Sequence, residues 1–366
     1  MKVLLVSPKN RTIYNFRGEL IKAIKDAGHE VTATGPDLAG LDKIERLGVN
    51  FFEMPMKKAK LNPIGDLKYC FALMRLIKKE KIDAVLGYTI KPVIYGAIAA
   101  RLAGVKNINC MVEGVGYIFT SKTLKAQILR VAVTILYTIA FACARNVIFL
   151  NPDDRDEFIS RGLVSRRKTY VVNGAGISLA RYTPAPYPER ITFFMLSRLL
   201  ESKGVVDYLQ AAASLKKRHP QVRFVLLGEC DGLPDELSED DIKPYVSAGV
   251  VEHFGETDDV RPFFADASVY VLPSYREGVP RTVLEAMATA RPVITSDAPG
   301  CRETVVDGEN GFLVPVKSPA ALEEKMEFFI SNPEKIAGMG AKSLKLCREK
   351  FAAERVNRDM LRIMQL

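Results

Sequence analysis

Two glutamates stand eight positions apart in SYREGVPRTVLEAMA, residues 274–288: Glu277, followed by Gly278, Val279 and Pro280, and then Glu285. Proline is excluded from a helix interior but suits a first turn. The sequence therefore predicts a helix that starts at 279–281 and runs through TVLEAMATA. Glu277 then lies in the loop ahead of the helix, and Glu285 about one and a half turns inside it. Unpaired backbone N–H groups at such a helix start make an anion site. A carboxylate, an anion site and a second carboxylate match a ligand that carries a hydroxyl-bearing group, a phosphate and a diol. A capped surface helix with two solvated glutamates explains either residue alone, but not the glycine–proline break between them.

A second cluster lies in SRLLESKG, 197–204. Arg198 and Lys203 bracket the expected end of a strand, and Gly204 opens the next helix. A guanidinium that binds two oxygens at once, an ammonium and a helix N-terminus together suit a diphosphate. Taken alone, the two side chains also fit a solvated surface pair. Gly228, in LLGECDG (226–232), ends another strand, where a glycine either admits a ligand or makes a turn.

Such residues must be carried on strand ends. Short apolar runs at 3–7, 30–35, 49–54, 84–89, 107–112, 146–151 and 170–174 alternate with helical patterns such as 16–27 and 67–79. The pattern restarts at 191–199, 222–229, 250–255, 267–274, 291–297 and 311–315. Continuous apolar strands between amphipathic helices predict parallel sheets covered on both faces. Residues 177–190, with prolines at 184, 186 and 188, lack periodicity and read as a linker. The expected fold class is α/β, with two doubly wound Rossmann-like domains at 1–176 and 191–350 that face each other across a cleft. Ligands of such sheets bind beyond the carboxyl ends of the strands.

Charge is uneven along the chain. Residues 1–180 hold 28 Lys and Arg against 15 Asp and Glu, a balance of +13; residues 181–366 hold 24 against 28, a balance of −4. The basic half implies an anionic partner: nucleic acid, a phosphorylated small molecule or an anionic membrane face. Its cations are not interleaved with stacking aromatics in an RNA-binding motif, which argues against nucleic acid. Six cysteines without a CxxC pair or a histidine cluster exclude a zinc or disulfide framework. MKVLLVSPKN reads as a first core strand rather than a signal peptide. In the apolar segment 124–145, the uninterrupted part at 131–144 is 14 residues long, short of the roughly 20 needed to span a bilayer. It reads as a buried helix, or as one that partly faces lipid beside Lys122, Lys125 and Arg130.

EGVPRTVLEA carries the E-x7-E signature of retaining glycosyltransferases with the GT-B fold. The second half resembles glycosyltransferase family 4 along its length, in SRLLESKG, in HFGETDDVRPFFADASVYVLPSYREGVPRTVLEAMATARPVIT and in DAPGCRETVVDGENGFLVP. The resemblance implies that Glu285 holds the ribose hydroxyls of a nucleotide sugar and that Glu277 lies beside the donor sugar. Gly278, Val279 and Pro280 would face the sugar and phosphate, and Arg198 and Lys203 would neutralise the leaving diphosphate. Gly228 and the loop 255–260, with Glu256, would lie at the nucleotide, and a C-terminal helix at 351–366 would pack back on the first domain.

In the first half, YNFRG, LNPIGDL, YTIKP and VEGVG look like the subgroup that elongates lipid-linked oligosaccharides. The likeness is to N-acetylgalactosamine transferases of bacterial protein N-glycosylation, which act on an undecaprenyl-diphosphate-linked sugar. The chain departs from many members in lacking a Gly-Gly loop after the first strand and a mid-domain histidine; its histidines are His29, His219 and His253. Glu113 stands in the histidine's place. It either binds or orients the acceptor hydroxyl or donor sugar, or it caps the glycine loop after it. Lys9, Arg17, Gly18 and Lys91 are the implied acceptor contacts. Lys57, Lys58, Lys60, Lys78, Lys79 and Lys81 offer a basic surface to anionic lipid, although simple solvation explains any one lysine.

The expectation is a retaining hexosyltransferase that moves a sugar, N-acetylgalactosamine first, from a UDP-sugar to a polyprenyl-diphosphate-linked saccharide. It would act as a monomer, without nucleic acid, on the cytoplasmic face of the inner membrane. Neither cofactor nor metal is expected: Asp153–Asp154, Asp240–Asp241 and Asp258–Asp259 form no D-x-D after a strand, and hard cations need several oxygen ligands together. A transferase with a soluble acceptor is the alternative; a non-enzymatic nucleotide- or nucleic-acid-binding protein is a more remote one.

Overall fold

The computed structural model describes residues 1–56, 62–114, 124–229 and 236–366, with only the backbone for 124–128. Lys57, Lys58, Lys60, Lys122 and the Lys125 side chain lie outside the described residues.

Seven parallel strands form one sheet: β1 Lys2–Val6, β2 Glu30–Gly35, β3 Asn50–Glu53, β4 Ala84–Tyr88, β5 Asn107–Val112, β6 Asn146–Phe149 and β7 Thr169–Val171, in the order β3-β2-β1-β4-β5-β6-β7. Six form another: β8 Thr192–Leu196, β9 Arg223–Leu227, β10 Glu252–Phe254, β11 Val269–Leu272, β12 Val293–Ser296 and β13 Gly311–Val314, in the order β10-β9-β8-β11-β12-β13. Each apolar run picked out in the sequence holds one strand. The cause is two-sided burial: β4, β5, β11 and β12 are buried at every residue, so helices must cover both faces. In each sheet the order reverses beside the first strand, at β1/β4 and at β8/β11, and that is where an open α/β sheet receives a ligand.

The chain divides into two compact units. One is Met1–Ala175 with Ala353–Leu366; the other is Gly176–Ala352. An asparagine ladder draws the C-terminal helix Ala353–Met364 into the first unit. Asn107 and Asn146 are buried, and their Nδ2 atoms donate to Met364 O at 2.7 Å and Ile363 O at 2.8 Å. Asn146 also donates to Asn109 Oδ1 at 2.8 Å, and Asn109 to Asn107 Oδ1 at 3.0 Å. Buried amides and the unpaired last carbonyls of a helix thus satisfy each other.

Residues 177–190 belong to the second unit. Tyr182 is buried. Tyr187 donates to Ala290 O at 2.5 Å, Arg291 donates to Pro186 O at 2.8 Å, and the Arg291 guanidinium lies 4.4 Å from the Tyr187 ring centre. The prolines deny this stretch a helix, and its tyrosines fasten it along the second core.

The helix Leu124–Cys143 buries Val133, Tyr137, Ala140 and Phe141 while Val131, Ile135 and Ile139 stay exposed. Among the described residues no helix is long and apolar enough to cross a membrane.

Candidate active site at the ends of β8 and β11

After β8 the chain passes exposed Arg198 and makes a short 3-10 turn, Glu201–Lys203. Gly204 then takes φ +72°, and a Cβ there would lie 2.2 Å from Pro273 O. Only glycine lets this turn press against the end of β11. Ser202 O accepts from Tyr275 N at 2.9 Å and from Ser274 Oγ at 3.3 Å, which latches the two loops together. The result is an ion pair: Lys203 Nζ donates to Glu277 Oε1, and the side chains are 18% and 15% exposed.

Glu277 is held from its other side by the loop after β12. Its N–H donates to Pro299 O at 2.9 Å. Gly300, at φ +81°, lies so close that a Cβ would meet Glu277 O at 2.2 Å and Gly278 O at 2.5 Å. The helix that follows is Arg281–Ala288, with Pro280 as its N-cap in an extended conformation (φ −71°, ψ 114°). Gly278 and Pro280 are buried and Val279 half-buried.

One turn into this helix, Glu285 is buried. Its Oε1 accepts from Tyr182 Oη at 2.9 Å and from Arg281 Nε at 3.1 Å. Both bonds fall on the same oxygen, and among the described residues no hydrogen bond falls on Oε2. Burial pushes the Glu285 carboxyl above its ordinary range, while the Arg281 charge and the Tyr182 hydroxyl pull it back. The two carboxylates of the motif are therefore paired with different cations.

Two further residues of the expected nucleotide site make backbone contacts within the second unit. At Gly228 a Cβ would lie 1.8 Å from Ser197 O, so the close approach is made by the chain's own backbone. The N–H of exposed Glu256 donates to Glu229 Oε1 at 2.8 Å, which ties the loop after β10 to the end of β9.

The first unit collects its residues at β1, β4 and β5. Lys9 precedes the helix Asn10–Phe16, and Gly18 opens Gly18–Asp26 with room for a Cβ, whose nearest neighbour would be Leu47 at 3.7 Å. Arg17, between the two helices, is buried. Its Nη2 donates to Glu113 Oε1 and its guanidinium lies 4.8 Å from the Tyr88 ring centre. The side chain is almost fully covered, and its charge is paired with Glu113 rather than turned to solvent. Glu113, 24% exposed, is its counter-ion. The pair leaves Glu113 a wet side, and most of the glycine loop after it lies outside the described residues. Lys91 Nζ donates to buried Asp66 Oδ1 at 2.7 Å, and Tyr95 Oη to Asp66 Oδ2 at 3.3 Å.

Sequence reasoning missed Tyr182, Arg281, Gly300 and Asp66. Arg281 was within reach, since it stands four residues before Glu285 on one helix. The others meet their partners only through the tertiary fold.

Two sheets of Rossmann order are shared with solved structures over the whole chain. HepE of Anabaena, solved with UDP-glucose, aligns at TM-score 0.82 and 19% identity over 100% of this chain and 99% of its own. Sucrose-phosphate synthase of Thermosynechococcus elongatus aligns at TM-score 0.83 and 18% identity over 100% and 98%. The fold is GT-B. The family model "Glycosyl transferases group 1" matches residues 181–345, and "Glycosyl transferase 4-like" matches 2–151. The chain belongs to these glycosyltransferases. Among its relatives, the N,N'-diacetylbacillosaminyl-diphospho-undecaprenol alpha-1,3-N-acetylgalactosaminyltransferase of Campylobacter jejuni is 28% identical over 91% of this chain and 90% of its own length. The UDP-Gal:alpha-D-GlcNAc-diphosphoundecaprenol alpha-1,3-galactosyltransferase of Escherichia coli is 29% identical over 73% and 71%.

Proposed function

We propose that this glycosyltransferase moves a hexosyl group, N-acetylgalactosamine first, from a UDP-sugar to a saccharide carried on a polyprenyl diphosphate, with retention of configuration. The observation that carries the reading is the Lys203–Glu277 pair at the β8/β11 switch point, in the loop just before the helix that holds buried Glu285. Glu285 takes the ribose hydroxyls. Lys203, with Arg198, moves onto the diphosphate and frees Glu277 to face the donor sugar. As the bond from the anomeric carbon to the β-phosphate oxygen breaks, the acceptor oxygen bonds to that carbon on the same face. The acceptor proton passes to the departing phosphate oxygen. Lys203 and Arg198 stabilise the charge that develops there, so neither a histidine base nor a metal is required. The Campylobacter and Escherichia relatives, both named for transfer to diphospho-undecaprenol sugars, support the acceptor class.

Contact with the cytoplasmic face of an anionic membrane belongs to the same reading. The helix Pro63–Glu80 exposes Ile64, Leu67 and Phe71 beside Lys68, Arg75, Lys78 and Lys79. Leu124–Cys143 exposes Val131, Ile135 and Ile139, and both helices flank Ile90–Ala103 on one face of the first sheet. Apolar side chains beside cations suit an anionic lipid surface.

The test is transfer of label from UDP-N-acetylgalactosamine, UDP-N-acetylglucosamine, UDP-galactose and UDP-glucose, with and without a polyprenyl-diphosphate-linked saccharide, in the presence and absence of EDTA. Label is expected on the lipid-linked acceptor, at a rate indifferent to EDTA. Equal transfer to the free saccharide removes the lipid reading, and loss of rate in EDTA removes metal independence.

A further inference from the structure

We infer that the Tyr182 hydroxyl is a positioning group for nucleotide recognition, holding Glu285 by one oxygen so that the other is presented to the ribose. This rests on the reading of Glu285 as the ribose-binding carboxylate.

Three features of the site lead there. A buried carboxylate is costly unless its lone pairs are satisfied, and among the described residues Glu285 is satisfied on one side only: Tyr182 Oη and Arg281 Nε both donate to Oε1. The two donors come from different directions, one from the helix itself and one from the segment that crosses behind it. Together they fix the plane of the carboxylate, which Arg281 alone, on a flexible stem in the same helix, does not. Tyr182 is itself held: it is buried, its ring meets Phe264 edge-on at 6.4 Å, and Arg181 lies over it at 5.8 Å. The crossing segment is fastened again five residues on, where Tyr187 donates to Ala290 O just past the end of the same helix. The hydroxyl thus reaches Glu285 from a rigid support.

The hydroxyl also acts on charge. The groups that face Glu285 are Arg281 from its own helix, Arg181 and Tyr182 from the crossing segment, and Tyr270 from β11. Burial raises the Glu285 pKa, and the Tyr182 hydrogen bond opposes that by favouring the charged form. Tyr182 remains a donor because its own pKa is raised, by burial and by the neighbouring carboxylate. A ribose hydroxyl donates best to an ionised carboxylate. Removing the tyrosine hydroxyl should therefore loosen the carboxylate and move its protonation to higher pH.

The experiment is calorimetric titration of the full chain with UDP and with 2′,3′-dideoxy-UDP, across the neutral and mildly acid range, for wild type, Tyr182→Phe and Glu285→Gln. Phenylalanine keeps the ring contacts, and a melting curve checks that the variant is folded. Wild type should prefer UDP by about 10- to 100-fold, the scale of hydrogen bonds to a charged group. Tyr182→Phe should cut that preference by about 3- to 10-fold, leave dideoxy-UDP binding unchanged, and shift the acid loss of UDP affinity to higher pH. A wild-type preference and pH profile in Tyr182→Phe, with the preference lost in Glu285→Gln, overturns the role of the tyrosine alone. An undiminished preference in Glu285→Gln overturns the ribose reading itself.

Discussion

Each sheet reverses its strand order once, and each sets a cation against a carboxylate there, but the two pairs are built for different ends. At β1/β4 the cation lies innermost: the Arg17 side chain is 2% exposed, under the Tyr88 ring, and Glu113 covers it. At β8/β11 both members are within reach of solvent, Lys203 at 18% and Glu277 at 15%. The proposed exchange, in which an arriving diphosphate takes Lys203 from Glu277, needs this access to both side chains. The Arg17 side chain, by contrast, is nearly closed to solvent, and loss of Glu113 would leave its buried charge without that counter-ion, which is strongly unfavourable. The first pair is an inward counter-charge with one wet carboxylate edge; the second is the contact we propose substrate exchanges.

Substitutions can break or sharpen this contrast. The largest effect is expected at Lys203. Lys203→Ala should lower kcat by about 100- to 1000-fold, as loss of one transition-state donor does, with a smaller change in donor KM; steady-state kinetics reads both. Next is Glu113→Ala, which leaves Arg17 buried without its anion and should cost about 3 kcal/mol in denaturant unfolding. Glu277→Gln, whose partner is partly exposed, should cost less than about 1 kcal/mol in the same measurement. Equal costs would erase the distinction between the pairs. Gly300→Ala should come third, since its Cβ strikes Glu277 O and its φ is left-handed. A stability loss of about 1–2 kcal/mol, with a fall in kcat/KM, is expected. The smallest effect concerns the first unit's exposed helices: Ile135→Asp should weaken binding to vesicles containing phosphatidylserine by about tenfold, while transfer to a short-chain, water-soluble acceptor diphosphate stays intact.

The sheets were legible in the sequence because buried parallel strands are unbroken apolar runs, and VYVLPS or AVLGYT reads as nothing else. The Glu277–Glu285 motif was legible because proline marks the helix start and glycine precedes it. What the sequence hid is pairing between segments far apart. The burial of Arg17 was hidden in this way, because nothing local shows that residue 113 will pair with it and that its guanidinium will lie over the β4 tyrosine. The crossing segment looked like a tether because its prolines speak for loop. Its two anchoring tyrosines find partners more than a hundred residues away. The asparagine ladder that holds the C-terminal helix was invisible for the same reason: polar residues within strands gain meaning only when their partners' carbonyls arrive.

The central claim is that the β8/β11 site carries out same-face transfer from a UDP-sugar to a lipid-diphosphate-linked saccharide. Proton NMR of the newly formed glycosidic bond, with UDP-N-acetylgalactosamine as donor and a short-chain polyprenyl-diphosphate-linked saccharide as acceptor, tests it most directly. The account predicts an α-linked product, matching the donor, with release of UDP. A β-linked product, or UDP release without a new glycosidic bond on the acceptor, would contradict it.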